Sequence, residues 1–106
     1  MGFDEKTIEQ VWRNGRGVSD RPAAEWRKDE CGAWLHRAQY GNALSEYGWK
    51  IEKVSPGGPD TIDNLRPFHI RNTYDVANGK PHCEVTADRE KIAPTQHIDF
   101  PHNREV

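Results

Sequence analysis

The chain has 106 residues, enough for one domain and no second core. Hydrophobic residues are 34% and charged residues 30%, so the core is thin and rests on four Trp, three Tyr and three Phe. The net charge of -2 weighs against nucleic-acid binding by bulk charge alone and leaves room only for a local basic face. No apolar run approaches a membrane span, and MGFDEKTIEQ lacks a basic-then-apolar export pattern, so the expected location is cytoplasmic, a host cell's cytoplasm if phage-encoded.

In chain order, Asp4 is placed to cap a helix over about residues 5–13. Ile8, Val11 and Trp12 form its apolar stripe, and Asn14-Gly15 ends it. Residues 15–21 read as a linker. Asp20 and Pro22 predict a second helix over about 22–29, stopped by Cys31-Gly32. Ala33-Trp34-Leu35 reads as extended, and residues 40–42 and 45–48 as turns. Alternation over Trp49-Lys50-Ile51-Glu52-Lys53-Val54 predicts a strand. A Gly-, Pro- and Asp-rich loop follows over 55–64. Leu65–Phe68 reads as a short strand that Pro67 confines to an edge or a strand end. Residues 69–78 are expected to be helical, with Ile70 and Tyr74 inward and Asn78-Gly79 as the stop. Residues 83–86 read as a further short strand. The domain is expected to span 1–93, with 94–106 a polar, loose tail.

Cys31 and Cys83 lack the spacing of a zinc ribbon or a redox pair. A reducing compartment disfavours a disulfide, so two small buried hydrophobes are expected. A zinc site with two histidines is the less favoured alternative. Residues 12–28 hold Arg13, Arg16, Arg21, Arg27 and Lys28 against Asp20 and Glu25, and the plainer reading of this cluster is solvated surface.

Strand, glycine-rich loop, Asn-Leu-x-Pro and helix, in that order, resemble the ββα-metal (His-Me finger) core of HNH endonucleases. The residues that carry the resemblance are Tyr47-Gly48-Trp49-Lys50-Ile51-Glu52-Lys53-Val54, Pro56-Gly57-Gly58-Pro59-Asp60, Asp63-Asn64-Leu65-Arg66-Pro67 and His69-Ile70-Arg71-Asn72. The likeness covers about 47–79, and Trp26-Arg27-Lys28-Asp29 with Cys31-Gly32-Ala33-Trp34 looks like the upstream part of a bacterial or phage subfamily. It implies an α+β fold, a small single domain with an HNH-like core plus N-terminal helices.

The departures bear on chemistry. The resemblance implies an Asp-His pair at the end of the first strand, the aspartate holding a divalent metal and the histidine activating water. Glu52 and Lys53 stand there. Lysine is protonated near neutral pH and its charge opposes a metal. Asn64 keeps the family asparagine, whose implied role is to fix the loop and orient the base. The second metal-ligand position falls on Thr73, or on Asn72 with a one-residue shift, and the family's later lysine on Val76. No catalytic residue and no cofactor are therefore expected. Glu52, Asn72 and His69 remain weak metal candidates, and a relocated base would be His69 or His82.

The leading expectation is a catalytically degenerate HNH-like module. Its partner would be nucleic acid or a nucleic-acid-processing complex of the host, with no membrane and no small-molecule ligand. Lys53, Arg66 and Arg71 would line the former cleft, with Arg13, Arg16 and Arg27 as a second face. One alternative is an active metal-dependent HNH DNA endonuclease with an atypical site, requiring a divalent metal. The other is a phage-type anti-defence protein, for example an anti-CRISPR, acting by protein binding.

Overall fold

A computed structural model describes residues 3–55, 61–87 and 103. Helix α1 spans Glu5–Trp12, and the Asp4 carboxylate caps it by accepting from the Thr7 N–H. Ile8, Val11 and Trp12 are its buried face, as their spacing predicts. Asn14 then donates its side-chain amide to the Ile62 and Leu65 carbonyls, fastening the helix end to the far half of the chain.

Strands β1 (Trp26–Lys28) and β2 (Trp34–His36) form an antiparallel hairpin. The predicted helix over 22–29 is absent. The Trp26 N–H bonds the Pro22 carbonyl for a single turn, and the chain then extends. Packing overrides the local helix signal, because an extended Trp26 lies against Trp34, His36 and Tyr47 at ring separations of 6.2, 4.4 and 5.0 Å. Gly32, at φ 84°, closes the hairpin turn in a conformation that favours glycine. A short 3-10 turn over Arg37–Gln39 follows.

Strands β3 (Trp49–Lys53) and β4 (Leu65–His69) pair antiparallel, Trp49 opposite His69 and Lys53 opposite Leu65, as the alternation predicts. Their ribbon has only two strands, so β4 is an edge and tolerates Pro67. Trp49 is fully buried and Ile51 half-buried. Trp49 joins Ile8, Trp12 and Leu35 in the core cluster, 5.0 Å from the Trp12 ring. Gly48 is required at the start of β3, because a Cβ there would collide with the Asn42 carbonyl oxygen.

The helix expected over 69–78 is replaced by a third hairpin, β5 (Thr73–Asp75) with β6 (Lys80–His82). Thr73 and Tyr74 favour extended backbone. Asp75 accepts from the Asn78 backbone and side chain, and Gly79 adopts φ 63°, which together make a turn where a helix would need continuity. The ββα order is thus not reproduced, and the described residues hold one α-helix and three small antiparallel ribbons, a small α+β fold. The strand expected over 83–86 is displaced to Lys80–His82.

Cys31 and Cys83 form a disulfide, with Cα atoms 5.6 Å apart at a sequence separation of 52. This corrects the expectation of two free buried thiols and removes both from any zinc site. A thin core gains most from such a cross-link, which restricts the unfolded chain. The glycine-rich stretch 56–60 and most of the expected tail lie outside the described residues. Asn103 is described and is buried, its side chain bonded to the Trp34 N–H and to the Trp34 and Glu46 carbonyls.

Beside the disulfide sits a buried carboxylate, Asp29. Its Oδ1 accepts from the Cys31 and Ala33 N–H groups, and its Oδ2 from the His69 N–H and the Asn72 side-chain amide, each at 2.9 Å. Asp29→Asn would turn an NH2 group toward two of these donors. The expected outcome is a loss of about 3 kcal/mol in urea unfolding with an unchanged m value, and an unchanged midpoint would contradict it.

Candidate functional site

At the positions that the HNH likeness marks, Glu52 and Lys53 end β3, Asn64 precedes β4, and Thr73 opens β5. β5 lies against β3. Asn64 is buried. Its side-chain amide donates to the Ser55 carbonyl and its own carbonyl accepts from the Val54 N–H, so it ties the two ends of the loop together.

Glu52 is half-buried, 3.9 Å from the Lys50 ammonium and directly across the ribbon from Arg66. Lys53 is exposed and follows immediately. The third position supplies a threonine hydroxyl on a strand. One carboxylate already beside an ammonium, with a hydroxyl as second donor, does not fit a divalent ion, which takes several oxygen ligands with compensating charge. The other metal candidates are engaged elsewhere. The Asn72 amide donates to Asp29 and to the Val85 carbonyl, while its oxygen accepts from the Glu84 and Val85 N–H groups. Both His69 ring nitrogens are occupied: Nδ1 accepts from the Arg71 N–H at 3.1 Å, so Nε2 carries the proton and donates to the Glu46 carbonyl at 2.8 Å. Among the described residues there is no group of three or more His, Cys, Asp or Glu side chains placed to hold a metal ion.

The expected cationic residues do not gather at one cleft. Neighbouring positions on a strand project to opposite faces, so Lys53, opposite Leu65, and Arg66, opposite Glu52, lie on different faces of the ribbon. Arg71 is exposed beyond the other end of β4, beside a groove of about 320 Å³ lined by Leu44, Glu46, Ile70 and Val85. Arg27 is half-buried, its guanidinium donating to the Ala23, Gly15 and Arg13 carbonyls, so it braces the α1–β1 connection. Arg13 is exposed and 3.9 Å from Glu9.

Arg16 and Arg66, 50 positions apart, meet at one recess of about 150 Å³ that they line together with Asn14, Lys28 and Glu30. Backbone bonds of 2.8 Å in both directions between Arg16 and Lys28 build one wall. The Lys28 ammonium lies 5.0 Å from the Trp34 ring centre. The Arg66 guanidinium donates to the Asp63 and Leu65 carbonyls and stands 3.8 Å from the Glu30 carboxylate. The recess thus brings three cations together with the carboxylates of Asp29 and Glu30. Lys28 was not singled out from the sequence, and its only signal there was membership of the basic stretch 12–28.

Asp29 also escaped the sequence reading. Burial pushes its carboxyl above the usual range, while the Asn72 amide and the His69 and Ala33 N–H groups pull it back. No helix among the described residues is long and apolar enough to cross a membrane. Comparisons with protein-family models, with curated proteins and with solved structures give no match.

Burial holds the His69 imidazole below the ordinary histidine range, against the pull of the Glu46 carbonyl and the Asp29 charge. In the window from about 6.5 downward the unfolded chain binds the proton and the folded chain does not, so stability falls as pH falls. Thermal melts between about pH 7.5 and 5.5 should show this loss, and His69→Gln should flatten it. An identical pH profile in the variant would show that His69 does not titrate on unfolding.

Proposed function

We propose that this chain is a catalytically inactive HNH-like module that binds the phosphate backbone of nucleic acid through the recess of Arg16, Lys28 and Arg66. The observation that carries the reading is the convergence of these three cations, from separate parts of a chain whose net charge is -2. A local positive recess on a weakly acidic protein attracts phosphate at short range while avoiding indiscriminate binding. An incoming phosphate would compete with Glu30 for Arg66, which makes binding salt-sensitive.

The HNH-like part of the reading is supported by the residues of the Asn-Leu-x-Pro stretch, by the antiparallel β3–β4 pairing and by Asn64 tying the intervening loop. Inactivity follows from chemistry. Hydrolysis of a phosphodiester by this route needs an activated water and a cation at the leaving oxygen. Lys53 stands where the resemblance expects the histidine base, and Glu52 with Thr73 offers no adequate metal cradle.

Two measurements test this. Supercoiled plasmid with Mg²⁺, Mn²⁺, Ni²⁺ or Zn²⁺ should remain intact. Nicking that disappears in Glu52→Ala would establish the active-endonuclease alternative instead. Oligonucleotide binding across a salt series should lose about 0.7–0.9 in log–log slope for each phosphate contact removed. Arg16→Ala/Arg66→Ala should lower the slope by about 1.5, and Lys53→Ala/Arg71→Ala should change it less. The reverse ranking would return the binding face to the β3 end. No measurable nucleic-acid binding by the wild type would favour a protein partner, as in the anti-defence reading.

A further inference from the structure

We propose that the Cys31–Cys83 disulfide is a redox-operated latch, whose reduction frees residues 84–87 while α1 and the β3–β4 ribbon stay folded. The inference is independent of what the basic recess binds.

The segment after Cys83 lies outside the three described ribbons, and hydrogen bonds tie it to the rest of the fold. The Glu84 and Val85 N–H groups donate to Asn72 Oδ1 at 2.7 and 2.9 Å, and the Asn72 amide donates to the Val85 carbonyl at 2.9 Å. The Ala87 N–H donates to the Gly32 carbonyl at 2.8 Å, and the Thr86 carbonyl accepts from the Asn103 N–H at 3.2 Å. Val85, Thr86 and Ala87 are buried, yet none belongs to the Ile8, Trp12, Leu35 and Trp49 cluster. The arm therefore docks onto the Asp29–Asn72 centre from outside the main core. Its one covalent tie is to Cys31, two residues from Asp29. Both cysteines are half-buried.

The exchange needs a dithiol reductant. One of its thiolates attacks a sulfur of the disulfide, breaking the S–S bond and forming a mixed disulfide. Its second thiolate displaces the protein sulfur, and the reductant leaves as its own disulfide. Two electrons and two protons end on Cys31 and Cys83 as thiols. Without the tie, the arm is held by noncovalent contacts alone, among them hydrogen bonds that are each of modest net strength. When it leaves, Asn72 loses three of its partners and water reaches Asp29.

Hydrogen exchange followed by mass spectrometry tests the latch on the full chain, comparing oxidised protein, protein reduced with dithiothreitol, and Cys31→Ser/Cys83→Ser. Amides of 84–87 and 31–33 should exchange about tenfold faster or more in the last two states. Residues 49–53 and 65–69 should keep their protection, and reoxidation should restore the arm. Equal exchange of the arm in all three states would overturn the latch. So would loss of protection throughout the chain on reduction, or a double variant and reduced wild type that both fail to fold, because the bond would then be a staple for the whole domain.

Discussion

The fold turns on one buried carboxylate. Asp29 gathers N–H groups from its own hairpin turn, from the end of β4 and from the Asn72 side chain, and so joins segments about 40 residues apart. A buried charge is tolerated only when its hydrogen bonds are complete, and completing them fixes where the three segments lie. Asn72 extends the arrangement by spending its remaining capacity on the backbone of Glu84 and Val85. With no continuous sheet among the described residues, polar side chains do the joining that strand ladders do in larger folds.

The apolar part is small and aromatic. Trp12 and Trp49 form its centre, and each indole N–H finds a backbone carbonyl, Ala23 for Trp12 and Arg37 for Trp49. Arg37 adds a second tie, reaching Glu5 and Glu9 on α1 while lying 5.8 Å from the Trp49 ring centre. Trp26 and Trp34 make a separate aromatic layer on the first hairpin. A chain with few aliphatic residues thus covers two surfaces with four large rings.

Elements whose signal is local and strong were legible in the sequence. Asp4 and the Ile8, Val11, Trp12 stripe give α1, and the alternation from Trp49 gives β3 with its partner β4. The helices expected at 22–29 and 69–78 were not there, because each rested on weak punctuation that tertiary contacts outweighed. Trp26 is drawn out by its aromatic neighbours, and Asn72 and Asp75 spend their side chains on non-helical bonds. The disulfide was missed because compartment decided against it, and spacing alone says nothing of two cysteines brought together by folding. Arg16 and Arg66 were both picked out as cations. Their meeting at one recess depends on Asn14 pinning the helix end to β4, which no local pattern announces.

Asn103 has a consequence for how the chain is made. Its side chain supplies the acceptor for the Trp34 N–H and a donor for the Trp34 carbonyl, across a separation of 69 residues. During synthesis, β2 therefore leaves the ribosome long before the group that satisfies its outer backbone exists. Until residue 103 has been translated, Trp34 presents an unpaired strand edge to whatever is nearby, which leaves the nascent chain open to mispairing there.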